Sequence, residues 1–405
     1  SGSPCIGENM YVNKHMGTCT CCVWSHSAAT RIMDEKNRVG LPTLHRDVIH
    51  DVEYDHFGKR LATCSADHHI HVYDAKQDGS GWKITNRWKA HSGTVWRVCW
   101  ANPEFGQLLA TCSEDNSVQI WEEEEALSEE DGTTWQKKAS LMDAKDAVQD
   151  VAFSPSHLGL RLATASRDGY LRVYEAPDVM NISTWIVMDE VHVESDGGLT
   201  CLSWNKSRFD PVMVVVGTSA GTVRILSYDD TFRRWIPIWE VRDHEGDVHS
   251  VSWAPSLGRS YHLLASGGKD SRVIVWKLSN HGMGTEEQED RARLIGGTSS
   301  RGGVASGSAV DSVRSSGSGS NGFFNEQDMT TLLDHNSEVW KVVWNVTGTV
   351  LATSGDDGLV NLYKCSTNGA WICQQRIDSK RKLDHQTTPG AVSPVPRNFA
   401  SSSSS

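Results

Sequence analysis

The sequence predicts an all-β chain folded as a β-propeller of six blades, and three observations lead there. An apolar-x-x-apolar-x-aromatic pattern recurs six times, as IHDVEY, VWRVCW, VQDVAF, LTCLSW, VHSVSW and VWKVVW. Each copy is followed by an apolar run, a turn and an alternating strand, so one unit carries several short strands. The 16 Trp residues, a high count, recur at intervals along the chain. Four short strands per unit of roughly 40–50 residues is the pattern of propellers built from WD-type repeats.

The first strand of each unit closes on Tyr54, Trp100, Phe153, Trp204, Trp253 or Trp344. The second reads LATCS, LLATCS, LATAS, VVVGTS, LLASGG or LATSG, and the third IHVY, VQIW, LRVY, VRIL, VIVW or VNLY. A fourth usually opens with Trp: Trp82, Trp135, Trp185, Trp235 and Trp371. Period-two alternation, β-branched and aromatic residues, and Gly, Asp and Ser between the runs all indicate strand and turn. The blades are placed at 44–91, 92–144, 145–195, 196–244, 245–335 and 336–378.

Polar residues recur in step with the strands. His91, Thr111, Asp115 and Trp121 are matched by His45, Thr63, Asp67 and Tyr73, by His244, Ser266, Asp270 and Trp276, and by His335, Thr353, Asp357 and Tyr363. A hydroxyl, an imidazole and a carboxylate are also the parts of a nucleophilic triad. An enzyme needs one triad in one cleft, so four copies around a ring read instead as bracing. Asp accepts from turn amides and from His, His bridges to the hydroxyl, and the hydroxyl to the closing Trp. Such a buried network fixes geometry when every member is satisfied. Blade three keeps Asp168 and Thr164 but has Ala144 in place of His, and blade four has Ala220, Val216 and Ser195 at the three positions.

No run approaches 18 apolar residues, which excludes a transmembrane helix, and no signal pattern opens the chain. It lacks an initiating Met, which fits a fragment or a foreign leader. The net charge of −12 argues against a nucleic-acid binder with a basic footprint. Cys64, Cys99, Cys112, Cys201, Cys365 and Cys373 sit singly in apolar patterns and read as small buried hydrophobes of a reducing compartment. No Gly-rich phosphate loop precedes a helix. No cofactor, metal or catalytic residue is expected.

Residues 1–43 contain Cys5, Cys19, Cys21 and Cys22 without a second ligand pair and are expected to be disordered. The Ser/Gly-rich insertion 279–328 within blade five and the Ser/Pro-rich tail 379–405 are expected to be disordered too. The acidic run Glu122–Asp131 reads as a solvated loop, with a basic partner site as the sharper alternative. HHIH at 68–71 reads as exposed turn residues rather than a metal site.

HSGTVWRVCWANPEFGQLLATCSEDNSVQIWEE resembles the second blade of the Sec-thirteen/Seh-one group of WD-repeat coat proteins. YEAPDVMNISTW, Tyr174–Trp185, favours the Seh-one branch, and APSLGRSYHLLA and HNSEVWKVVWNVTGTVLATSGDDGLVNLYK agree with it. The resemblance covers about 44–378. It implies an open six-bladed ring completed by a blade from an α-solenoid partner, the eighty-five-kilodalton nucleoporin of the nuclear pore's Y-shaped scaffold. It also implies a Mio-type partner in the GATOR-two nutrient-signalling complex. The role implied is a non-catalytic scaffold that supports transport of mRNA and protein. The locations implied are the nuclear envelope and pore, with the lysosomal surface and a cytosolic pool besides. Direct nucleic-acid binding and membrane insertion are not expected.

A donated blade would cover the strand edges that an open ring exposes. The expected interface residues are Val48, Ile49, His50, Asp51 and Val52 on blade one and Val339, Trp340, Lys341 and Val342 on blade six. A peptide reader at the central channel is the competing function, and aromatics and acids gathered at one channel mouth would favour it.

Overall fold

Each blade is a four-stranded antiparallel meander in which consecutive strands pair. A computed structural model describes residues 10–13, 38–41, 44–76, 81–125, 133–194, 197–280 and 324–378. The first two strands, β1 (Met10–Asn13) and β2 (Arg38–Leu41), pair with each other outside the blades. Blade one is β3 (Ile49–Tyr54), β4 (Arg60–Ser65), β5 (His69–Ala75) and β6 (Trp82–Lys89). Blade two is β7 (Val95–Trp100), β8 (Leu108–Ser113), β9 (Val118–Glu125) and β10 (Thr133–Leu141). Blade three is β11 (Val148–Phe153), β12 (Arg161–Ser166), β13 (Tyr170–Glu175) and β14 (Ile186–His192). Blade four is β15 (Leu199–Trp204), β16 (Met213–Thr218), β17 (Val223–Asp229) and β18 (Arg234–Val241). Blade five is β19 (Val248–Trp253), β20 (His262–Gly268), β21 (Val273–Asn280) and β22 (Phe324–Leu332). Blade six is β23 (Val339–Trp344), β24 (Val350–Gly355), β25 (Leu359–Cys365) and β26 (Trp371–Asp378).

Blades two to five are apolar on both faces because each is sandwiched between neighbours. Ala62, Cys64, Ile70 and Val72 of blade one share one core with Val95, Val98, Leu109 and Trp121 of blade two. Similar shared cores join blades two to three, three to four, four to five and five to six. Burying one such side chain fully contributes about 1.5–3 kcal/mol. The blades approach closely enough to demand glycine, as at Gly267. A Cβ on Gly267 of blade five would lie 2.6 Å from Val339 Cγ1 and 2.7 Å from Val342 Cγ2 of blade six.

Several sequence expectations need correction. Two strands lie within residues 1–43, and Leu41 is fully buried against Val52, Leu61 and Tyr73. The other residues of that segment, its four Cys included, lie outside the described residues, as does the tail after 378. The break in blade five is shorter than expected, since β21 runs to Asn280 and β22 starts at Phe324. Phe324, 4% exposed, opens the fourth strand and packs into the core shared with blade four. Glu122 to Glu125 belong to strand β9 rather than to a loop. There Glu123 pairs with Arg60 of blade one, and Lys138 pairs with Glu122 and Glu124. The remainder of the acidic run, 126–131, lies outside the described residues. Cys365 is exposed and Cys373 half-buried, whereas the other four expected buried Cys are buried.

Candidate functional site

In blade two the expected brace is complete. His91 Nδ1 lies 3.1 Å from both Asp115 carboxylate oxygens, and Nε2 lies 2.8 Å from Thr111 Oγ1. Trp121 Nε1 donates to that hydroxyl at 3.2 Å. A carboxylate only accepts, so Nδ1 carries the hydrogen toward it, and in that tautomer Nε2 accepts from Thr111. Asp115 also accepts from the amides of Ser92 (3.0 Å) and Ser117 (3.1 Å), which pins the turn. Burial alone would raise its carboxyl, but the bonds from His91, Ser117 and Ser92 outweigh that and hold it well below the usual carboxylate range. The hydroxyl that a triad would use as nucleophile is sealed, with Thr111 0% and His91 3% exposed.

The same brace recurs at His45–Asp67–Thr63, His244–Asp270–Ser266 and His335–Asp357–Thr353, with His-to-hydroxyl distances of 2.8, 2.6 and 2.8 Å. The link from hydroxyl to closing aromatic does not recur. Trp276 Nε1 has no partner among the described residues, and the Tyr73 hydroxyl meets His71 Nδ1 at 3.4 Å. His71 is buried on β5 and stacks on His45 at 3.6 Å, so it is no exposed turn residue. Burial, with His45 beside it, pushes its pKa down to about 3. Among the described residues no three His, Cys, Asp or Glu are grouped to hold a metal.

Blade three replaces the missing His with a residue that the repeat pattern did not single out. Arg172, fully buried on β13, donates to Asp168 Oδ2 at 2.8 Å, to Ser166 Oγ at 2.8 Å and to Glu190 at 2.9 Å. Arg224 stands at the equivalent position of blade four and bonds the Val193 carbonyl and Glu240. The signal was an Arg inside an apolar third strand of the blade whose brace lost its His.

The two ends of the ring differ from the five blade–blade interfaces. Val52, Leu61 and Tyr73 correspond to residues that elsewhere pack on the preceding blade, but here they meet Leu41. Ala352, Val360 and Leu362 correspond to residues that elsewhere pack on the following blade, and they form a separate cluster with Ile377. These side chains are buried, and an ion pair of 2.8 Å, Lys341 Nζ to Asp51 Oδ1, crosses between β23 and β3. Asp51 also lies 3.6 Å from Arg97, which lies 3.6 Å from Asp150 and donates to the His249 carbonyl of blade five at 3.3 Å. Inner strands thus converge on a charge-balanced centre. Nearby, burial and then Asp51 push the Glu53 carboxyl up to about 8, against the Trp100 amide that bonds it at 3.0 Å.

The expected interface residues fall into four groups. Val52, Val339 and Val342 are blade core; Asp51 and Lys341 are the ion pair; Val48 and Ile49 are half-buried. His50 and Trp340 do something else. Every inner strand carries a β-bulge at its second residue, and these two are the bulged residues of β3 and β23. A bulge re-aims the side chain it carries.

The WD domain, G-beta repeat family matches residues 39–74, 82–122, 135–175, 235–277 and 326–364. The chain is 39% identical over 340 residues to nucleoporin SEH1-A of Xenopus laevis, covering 81% of this chain and 85% of the relative. It is 40% identical to nucleoporin SEH1 of Danio rerio (81% and 84% covered) and 38% identical to that of Homo sapiens (81% and 85%). With six four-stranded blades and kinship across four fifths of its length, this chain belongs to the SEH1 nucleoporin family of WD-repeat propellers.

Proposed function

We propose that the chain is a non-catalytic structural subunit of the nuclear pore, seated in the Y-shaped outer-ring scaffold through an α-solenoid nucleoporin of the eighty-five-kilodalton type. Kinship with proteins named nucleoporin SEH1 supports the pore role. The observation that supports blade donation is the pair of end faces that lack a shared core, unlike the five other interfaces. A donated blade would pack Val52, Leu61 and Tyr73 on one side and Ala352, Val360 and Leu362 on the other, and its strands would supply main-chain pairing. To enter, it must part Lys341 from Asp51 and meet Leu41. The sealed, repeated His–hydroxyl pairs support bracing rather than chemistry.

We propose the same surface for a second assembly. A Mio-type subunit of a GATOR-two complex would use the same seam, which would place part of the protein at lysosomal membranes and part in the cytosol. Purification of the tagged full-length chain followed by mass spectrometry tests both readings. A stoichiometric α-solenoid nucleoporin supports the pore scaffold, and Mio-type proteins support the second assembly. Recovery of neither overturns the proposal.

A further inference from the structure

Strands alternate in direction within a blade, so the first-to-second and third-to-fourth connections all leave from one face of the propeller. On blade four both of these connections carry an exposed Phe. Phe209, between β15 and β16, is 98% exposed, and Phe232, between β17 and β18, is 68% exposed. The two connections lie two strand spacings apart, roughly 10 Å. Met180 of blade three and Leu257 of blade five, also exposed, stand on the flanking connections of the same face. Blades three and four lie across the ring from the seam between blades six and one, so a donated blade leaves these loops open.

Both rings are held outward by hydrogen-bonded loops. Asn205 Oδ1 accepts from the Ser207 amide at 3.0 Å, Ser207 Oγ accepts from the Phe209 amide at 3.3 Å, and Asp210 accepts from Asn205 Nδ2 at 3.0 Å. Asp229 Oδ1 accepts from the Thr231 and Phe232 amides at 2.8 and 3.2 Å. Arg233 takes the left-handed backbone conformation, with φ 48°, which a residue with a side chain adopts only at a cost. Asp210 and Asp229 are thereby spent inside the loops. Arg208 and Arg233 are exposed, and neither makes an ion pair among the described residues. The Arg234 guanidinium lies 5.4 Å from the centre of the Phe232 ring. Outward the loops thus present two rings and three arginines, against the single exposed acid Asp230.

Exposed apolar clusters mark contacts with proteins or membranes. These rings are convex tips, and a small ligand or a peptide side chain needs a concave wall to receive it. A convex tip can instead be received by a soft phase. Apolar side chains enter the boundary between headgroups and acyl chains, while neighbouring cations meet anionic lipids. We propose that the blade-four loops are a docking surface for an anionic lipid membrane. Phe209 and Phe232 enter the headgroup layer, and Arg208, Arg233 and Arg234 meet its phosphates and carboxylates. No helix among the described residues is long and apolar enough to cross a bilayer, and this contact stops at the surface.

The test sediments the full-length chain with extruded vesicles of phosphatidylcholine, alone or mixed with phosphatidylserine. The mixed vesicles should bind the protein about tenfold or more tightly. Phe209→Ser and Phe232→Ser should each weaken that binding about fivefold or more, and the double variant should abolish it. Thermal unfolding should stay unchanged in all three, since neither ring packs in the core. Leu at both positions should restore most of the loss, because the membrane asks for apolar bulk rather than a ring. Arg233→Glu should cost about fivefold or more, and added salt should weaken the mixed-vesicle binding. Binding to neither vesicle would overturn the proposal, and so would equal binding to both, which leaves the arginines no role. Mixed-vesicle binding that the double Ser variant retains would overturn it too, because the attraction would then be charge elsewhere on the chain. A uridine oligonucleotide bound more tightly than the mixed vesicles, and lost in the same variants, would replace the membrane with a nucleic acid.

Discussion

Replacing Asp115 with Asn removes one charge and one acceptor while keeping the shape. The Asp115 carboxylate accepts from His91 Nδ1, from the amides of Ser92 and Ser117, and from the Ser117 hydroxyl at 2.6 Å. Ser92 N bonds Oδ2 and Ser117 N bonds Oδ1, so an Asn amide turned either way sets its NH2 against a backbone N–H. One backbone bond is lost, and the remainder fall from the charged class, about 1.5–3 kcal/mol each, to the neutral class of about 0.5–1.5. The Asp115 side chain is 14% exposed, so water recovers part of this. The expected loss is about 2–3 kcal/mol, or very roughly 4–10 °C in Tm for a domain of this size. Urea denaturation followed by circular dichroism measures it, with Glu104→Gln on an exposed turn as a control expected within about 0.5 kcal/mol. The depressed carboxyl contributes stability above its unfolded pKa, and that contribution disappears as pH falls through the folded value. The gap between wild type and variant should therefore be full at pH 7 and shrink below about pH 4. A variant as stable as the control at pH 7, or a gap that does not narrow in acid, would refute the bracing argument.

Arg172→Lys should lower stability by about 2–3 kcal/mol, because one ammonium cannot serve Ser166, Asp168 and Glu190 together; an unchanged urea midpoint would contradict this. For Glu53 the folded pKa of about 8 lies above the unfolded value, so its contribution is present in acid and lost as pH rises toward 8. Glu53→Gln should gain stability relative to wild type between about pH 5 and pH 9, measured as paired melting curves, and a flat difference would place the carboxyl elsewhere. Gly267→Ala should destabilise by about 1–3 kcal/mol, since its methyl would overlap Val339 and Val342, and tolerance would mean that blades five and six sit farther apart.

The blades and their braces were legible because a repeated unit states each requirement several times. Asp115, Asp270 and Asp357 fall at one offset from the closing aromatic, and chance does not align them thrice. What the repeat omits was harder to see. Arg172 solves blade three's problem with different chemistry from a different strand, so no column of the pattern announces it. Phe324 was hidden by the insertion that carries it away from its sheet. His71 looked exposed among neighbouring histidines because period-two alternation does not say which neighbour will cover a face, and His45 covers this one. That His50 and Trp340 part from the other expected interface residues was not legible, for a geometric reason. In a regular strand His50 and Asp51 would point to opposite faces, and only the bulge, which depends on pairing with β4, lifts His50 out of that alternation.

Where the chain leaves blade five has a consequence for how the molecule can be altered. Asn280 and Phe324 are partners in the β21–β22 ladder, so the excursion between them departs and returns at one point. Whatever form it takes, its ends are already held together by the sheet. For a flexible connection, doubling the length costs only about 0.6 kcal/mol. The outer rim of blade five is thus a port into which sequence can be spliced, trimmed or exchanged with little effect on the ring, and a reporter placed there would travel with a propeller that still assembles.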